Sequence, residues 1–183
     1  MAITLNGTTG IDAGASLEAD AITLAGANVA TQAYADAVTP TSFTGNGFSA
    51  YRNTTQSISS ATFTKVQHNT EVFDTGGEFD NATNYRFTPT KAGKYLVVAY
   101  GKCLVGSIHI VINSIYVNGT RTYDSIVQGS NPSSTIGTPA VAVVDMNGST
   151  DYVEHYFYQN SGTSSNLQTG PVGCNFSAMY LGD

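Results

Sequence analysis

The chain has 183 residues, of which 41% are apolar and only 11% charged, and a formal net charge of −6. That length suits one domain with a short appendage, and 11 Tyr with 8 Phe exclude a disordered tail, which would be rich in charge and poor in rings. Its few Lys and Arg form no cluster, which excludes a nucleic-acid-backbone binder, and no apolar run reaches the length of a membrane span.

Residues 1–40 are rich in Ala, Gly, Thr and Asn, with isolated aliphatics. Ile3-Thr4-Leu5-Asn6-Gly7 is echoed by Ile22-Thr23-Leu24-Ala25-Gly26, each a short strand running into a glycine turn. An isolated hairpin cannot bury a core, so this segment reads as an attachment arm ordered by assembly or docking. Residues 32–38 have the pattern of one or two helical turns before Thr39-Pro40 ends them. The start has neither the basic region nor the apolar run of a secretory leader. Cys103 and Cys174 are therefore expected to be reduced, buried thiols.

Over residues 41–183, short strands separated by turn signals predict an all-β sandwich. In Asn84-Tyr85-Arg86-Phe87-Thr88 the rings alternate with Arg86, the mark of a half-buried strand. After the turn Thr88-Pro89-Thr90-Lys91-Ala92-Gly93, residues 95–100 have no polar face. Such a strand is buried on both sides, once by its own core and once by another copy of the chain. Ile108, Ile110 and Ile112 share a face and Ile115 and Val117 continue out of phase, which predicts a β-bulge near Asn113-Ser114. Asn118-Gly119 and Asn147-Gly148 are tight-turn dipeptides, and the last two strands fall near residues 151–159 and 173–181.

Phe48-Ser49-Ala50, the central block of residues 79–103 and the ending Cys174-Asn175-Phe176-Ser177-Ala178-Met179-Tyr180-Leu181 resemble, in order and spacing, the jelly roll shared by complement globular heads and tumour-necrosis-factor-like proteins. The resemblance implies a two-sheet antiparallel jelly roll assembled as a homotrimer, with its inner sheets around a three-fold axis. Residues 1–11 and 29–34 are similar to N-terminal segments of bacteriophage tail-fibre proteins.

Aromatic side chains favour interfaces because they bury much area and keep a polar handle. Tyr95, Val97, Tyr100, Tyr152, Tyr156, Tyr158 and Tyr180 are accordingly the candidate trimer interface. Counting strands back from the C-terminus puts the turns at 91–93, 118–119 and 147–148 at the arm end. The longer polar stretches 53–60, 128–137 and 160–170 then gather at the opposite end, where loops on a rigid scaffold carry binding. The candidate receptor-facing residues there are Asn53, Thr54, Gln56, Gln128, Asn131, Ser133, Asn160, Ser164 and Asn166.

His68, His109 and His155 are isolated from one another in sequence and read as structural residues; His155, alternating with Val153 and Phe157, faces a core or an interface. There is no Gly-x-Ser-x-Gly elbow and no phosphate loop, so no enzyme and no cofactor is expected. Asp74, Glu78 and Asp80, and likewise Asp145, Asp151 and Glu154, lie near turns without the ligand spacing of a calcium loop. The expected function is that of a bacteriophage virion structural protein, assembled in the host cytoplasm: a trimeric fibre or tail-tip head. It would bind a host-surface receptor or glycan and hold other virion proteins through residues 1–40. A capsid decoration, cement or head-fibre protein built on the same trimer is the alternative. A secreted signalling or lectin-like module is a third reading.

Overall fold

The computed structural model describes residues 23–24, 27–28, 45–105, 109–129 and 134–183. The chain divides into two compact units, Met1–Thr44 and Gly45–Asp183. In the first, β1 (Thr23–Leu24) and β2 (Ala27–Asn28) pair antiparallel on either side of Ala25-Gly26, as the second copy of the repeat predicts. The first copy of the repeat and the helical turns at 32–38 lie outside the described residues.

The second unit is a sandwich of antiparallel sheets. One is five-stranded, built from β3 (Gly47–Tyr51), β6 (Thr70–Asp74), β9 (Ala92–Gly101), β14 (Ala140–Asn147) and β17 (Cys174–Gly182), in the order β14-β9-β17-β3-β6. The facing sheet holds β5 (Thr64–Lys65), β7 (Phe79–Asp80), β8 (Arg86–Phe87), β11 (His109–Val117), β12 (Thr120–Gly129) and β15 (Val153–Gln159). Its order is β12-β11-β15-β8-β7, with β5 also paired to β15. A third, small sheet of order β13-β10-β16-β4 closes one end, formed by β4 (Gln56–Ile58), β10 (Cys103–Val105), β13 (Ser134–Ile136) and β16 (Ser165–Leu167).

Strict alternation of side chains sets the core. In β14 the even residues from Ala140 to Met146 are buried, while Val141, Val143, Asp145 and Asn147 are exposed. Phe48 on β3 is the hub between the two large sheets. Its ring stacks on Phe79 at 4.4 Å and Phe87 at 4.7 Å and meets Phe176 edge-on at 5.0 Å. Tyr95, Val97, Ala99 and Ala178 complete this core from the five-stranded side, and Ile115 and Val153 from the other. A second core of Ile58, Val66, Cys103, Val111, Phe157, Leu167 and Cys174 lies beneath the end sheet. Both cysteines are free and buried.

Two local expectations need correction. The strand read over residues 84–88 is only Arg86–Phe87, because Tyr85 adopts a left-handed φ of 52° and residues 81–84 form a turn capped by Asp80. The bulge falls elsewhere as well. β11 runs unbroken from His109 to Val117 against β15, and the register shift lies against β12, where Thr122 is the extra residue between the pairs Ile115–Tyr123 and Tyr116–Arg121. The core face of β11 is its odd positions throughout. The apolar pattern mimics a change of phase because the core face holds His109 and Asn113 while Ile110 and Ile112 occupy the other face.

The tight turns gather at one end. Asn118 and Gly119 take φ values of 52° and 75°, the left-handed pair that a two-residue hairpin requires. Asn118 donates to Asp151 and accepts from the Tyr152 amide, and Asp151 accepts from the Asn147 amide. At the same end Gly93, at φ 131°, lets the backbone of β9 approach β17 so closely that a Cβ would lie 2.6 Å from the Gly182 oxygen.

Candidate functional site

The pleat of β9 turns Tyr95, Val97 and Ala99 inward and Leu96, Val98 and Tyr100 outward. Register carries the outward positions across the sheet. One row runs Val143–Leu96–Met179 and the next runs Val141–Val98–Ser177–Ser49–Phe73. Val141 and Val143 on β14 are 56% and 51% exposed and Leu96 on β9 36%; Phe73 on β6, 39% exposed, lies beyond Ser177 and Ser49 on the same face. The rows flank a shallow depression of about 200 Å³ bordered by Phe73, Leu96, Val98 and Met179. Lys94 opposite Asp145 bounds the patch on one side, and Tyr100, Asn175 and Tyr51 bound it on the other. This is an apolar centre with a polar rim, the anatomy of a protein interface.

The seven candidate interface residues do not share this face. Tyr95 and Val97 are fully buried inside their own chain, and the Tyr95 hydroxyl donates to the Lys91 oxygen at 2.9 Å. Tyr180 lies on the same inward side, edge-on to Tyr95 at 5.3 Å, with the Lys91 ammonium 3.8 Å above its ring. Tyr156 and Tyr158 belong to β15, on the opposite sheet, and Tyr152 just precedes it. There Tyr156 stacks on Tyr116 at 3.9 Å and Tyr158 meets Phe63 at 4.8 Å with the rings tilted. Cations of the same chain cover this cluster: Lys65 lies near Tyr156, Arg86 over Tyr152 and Arg121 over Phe63. Lys65 also pairs with Glu154 at 2.5 Å, and Arg121 with Asp124. Of the seven, Tyr100 alone reaches the apolar face. An all-apolar strand conceals which parity is core, and the sequence offers no other mark of it.

The three long polar stretches do converge, because each contributes a strand to the end sheet: β4 from 53–60, β13 from 128–137 and β16 from 160–170. β3 runs from Gly47 towards this end, so the sheet lies opposite the point where the chain enters the sandwich. Its outward row is Thr135–Leu104–Asn166–Ser57, all exposed, while Cys103, Leu167 and Ile58 point inward. Asn53, Thr54, Gln128, Asn160 and Ser164 are exposed around it. Three of the candidates are engaged internally, Thr54 by accepting from the Asn69 side-chain amide nitrogen at 3.3 Å. Gln56 bonds the Lys65 oxygen and the Gln67 amide, and the Asn160 side chain accepts from the Ile110 amide at 2.6 Å. Asn131 and Ser133 lie outside the described residues. Leu104, the apolar member of the row, escaped the sequence reading because it sits in the central block, far from the polar stretches.

Two of the histidines, isolated from one another in sequence, meet in the fold. His68 Nε2 lies 2.9 Å from His155 Nδ1, His155 Nε2 lies 2.9 Å from Asn113 Oδ1, and Cys174 Sγ lies 3.9 Å from His68 Nδ1, all buried. Burial holds the His155 imidazole down at about 3 and that of His68 well below its usual value, and it pushes the Cys174 thiol up. One ligand atom from each of the three lies within 4.8 Å of the others, yet His68 turns Nδ1 to Cys174 and Nε2 to His155, so each nitrogen is directed at a neighbouring side chain and not at a common centre. This is a hydrogen-bond chain. The carboxylates near turns are occupied too: Asp74 accepts from the Gly76 and Phe79 amides and Glu78 from Asn46 and Thr90. Amides at Ala82, Thr83 and Asn84 hold the Asp80 carboxyl down at about 2.

No family model matches the sequence, and no curated protein matches it. The likeness to known proteins is one of fold, to tumour-necrosis-factor-like jelly rolls. A tumour necrosis factor named Eiger from S. frugiperda superposes with a TM-score of 0.54 at 11% identity, over 76% of this chain and 94% of its own. Murine APRIL, in crystals at pH 8.5 and pH 8.0, gives TM-scores of 0.54 and 0.55 at 15% and 14% identity, over 75% of this chain and 99% of its own. The two-sheet antiparallel jelly roll implied by the sequence resemblance is thus the fold of the second unit.

Proposed function

We propose that the chain is a structural protein of a bacteriophage virion, a homotrimeric fibre or tail-tip head whose end sheet contacts the host surface. The outward face of the five-stranded sheet carries this reading. Soluble monomers rarely leave so broad an apolar surface uncovered, and the same face on two further copies would cover it around a closed cyclic axis. The row Thr135–Leu104–Asn166–Ser57 supports the contact role. It combines one apolar side chain with hydroxyl and amide groups on a rigid scaffold, at the end away from Gly47. Such a surface suits a neutral glycan or polar protein receptor, and three copies on one head would turn weak contacts into avidity. The likeness of residues 1–11 and 29–34 to tail-fibre segments supports the phage assignment and gives residues 1–40 the anchoring role.

Light scattering tests the assembly: three copies of 19.1 kDa give about 57 kDa, and a stable monomer overturns the trimer. Competition for adsorption tests the contact. The purified chain should block attachment of the parent phage, and the Leu104→Arg, Asn166→Arg variant should not. Equal blocking by both removes the end sheet from the site. No blocking by the unaltered chain, with particle binding that needs residues 1–40, gives the capsid-decoration role instead.

A further inference from the structure

The chain of polar groups from Cys174 to Asn113 can be given its hydrogens from one fixed end. The Asn113 amide nitrogen donates to the Gly101 and Thr138 oxygens, each at 2.9 Å, which leaves Oδ1 as the acceptor. His155 Nε2, facing that oxygen, must carry a proton, and its Nδ1 in the neutral ring is then an acceptor. His68 Nε2 faces that Nδ1 and must donate to it. His68 Nδ1 is therefore bare, and the Cys174 S–H is the group directed at it. The direction of every bond follows, with both rings neutral and protonated on Nε2.

The chain crosses the sandwich. Cys174 opens β17 in the five-stranded sheet, His155 and Asn113 lie on β15 and β11 of the facing sheet, and His68 lies between β5 and β6. Only the bare His68 Nδ1 can take up a proton while every existing N–H donor keeps its partner. The imidazolium so formed would be enclosed, since His68 is fully buried. Its charged neighbour is Arg52, which carries the same sign and is anchored to the Gln67 oxygen at 2.5 Å. The Phe176 ring lies against both imidazoles. The Cys174 thiol is held in its neutral form. The pair Lys65–Glu154 adjoins β15, with Glu154 on the face away from His155. Among the described residues no carboxylate bonds to either ring.

We infer that this chain is an acid-sensitive latch. Neutral, it fastens β17 and the His68 segment to β15 and β11; a proton on His68 Nδ1 releases it and opens the head. Both rings are neutral in the folded protein and ordinary in the unfolded one. The latch therefore contributes fully above the ordinary histidine value of about 6.5, and its contribution is lost progressively as pH falls below it. Because β17 also carries Ser177 and Met179 to the apolar face, opening would dissolve the assembly, a consequence that rests on the trimer proposed above.

The test follows near-ultraviolet circular dichroism and light-scattering mass of the full chain from pH 7.5 to pH 3.5, with His68→Gln alongside. Glutamine can donate to His155 and face Cys174 with its oxygen but cannot take up a proton. The unaltered chain should lose its signal cooperatively between about pH 6 and pH 4, and the midpoint of the variant should lie about one unit lower. An unchanged midpoint overturns the latch. Should the variant fail to fold, imidazole ¹⁵N shifts of the unaltered chain decide. Both rings should stay Nε2-protonated and neutral until the fold is lost, and a ring that titrates within an intact head overturns the proposal. A monomeric mass at pH 7.5 would remove the trimer alone, since the dichroic transition reads the latch in either state.

Discussion

Leu96 on β9 and Met179 on β17 are register partners on the outward face of the five-stranded sheet, one residue away from Tyr95 and Tyr180, which pair edge-on at 5.3 Å on its inward face. The same two strands thus build the core with one parity and the apolar outer patch with the other. Neighbouring residues of nearly identical hydrophobicity have opposite roles, and substitution should separate them.

Leu96→Asp should leave the sandwich folded and lower its mass in solution. Leu96 is 36% exposed in the single chain, so the carboxylate remains hydrated there and is buried only when copies assemble. Tyr95→Asp should instead yield no soluble folded protein, because position 95 is fully enclosed. Light scattering and circular dichroism on both variants check this; a folded trimer from Leu96→Asp would move the interface off this sheet.

Phe48→Ala should destabilise the head by about 3–5 kcal/mol, the usual cost of removing a buried ring. The Phe48 ring contacts Phe79, Phe87 and Phe176 from three other strands, so collapse of the cavity would require several strands to shift. Urea unfolding measures the loss. A change below about 1 kcal/mol would mean that the sheets are not clamped at this point.

The Asp80 carboxylate organises the turn between β7 and β8, accepting from the amides of Ala82, Thr83 and Asn84 and from the Asn84 side chain. These donors favour the charged form, so its folded value of about 2 lies below the ordinary 3.8. The contribution is present above the ordinary value and fades as pH falls towards about 2. Asp80→Ala should therefore lower the urea midpoint at neutral pH, and the gap from the unaltered chain should close on acidification. A gap that does not change with pH would assign the effect to the turn backbone.

Much of this architecture was legible in the sequence, for identifiable physical reasons. Asn118-Gly119 dictates a hairpin because few other residues tolerate left-handed φ at two successive positions. The block around Tyr95 announces a strand because it is long, β-branched and aromatic. Counting strands between such turns brought 53–60, 128–137 and 160–170 to one end, although their short strands carry little hydrophobic signal. Parity in β9 was not legible, since Tyr95 and Leu96 are equally suited to a core. The meeting of His68 with His155 was not legible either: they are 87 residues apart, and only the pairing of β15 with its neighbours brings them together. Asn113, a polar residue on a core face, resembles a change of phase in the sequence, because its hydrogen-bond partners come from distant segments.

Those partners make Asn113 a strong test of the core. Its amide nitrogen serves the Gly101 and Thr138 oxygens and its Oδ1 accepts from His155, so every polar atom of the side chain is used in an enclosed site. Asn113→Leu, close in volume, removes all three bonds and leaves two carbonyls and one imidazole N–H without partners. Each unsatisfied buried group costs about 1–3 kcal/mol, so the variant should lose about 3 kcal/mol or more despite the gain in hydrophobicity. Asn113→Asp should fare no better at neutral pH, because a carboxylate turned towards two carbonyl oxygens repels both. Urea unfolding of the two variants at pH 7 distinguishes this from simple packing. If Asn113→Leu matches the unaltered chain, position 113 is an ordinary core site and the hydrogen-bond chain contributes nothing to stability.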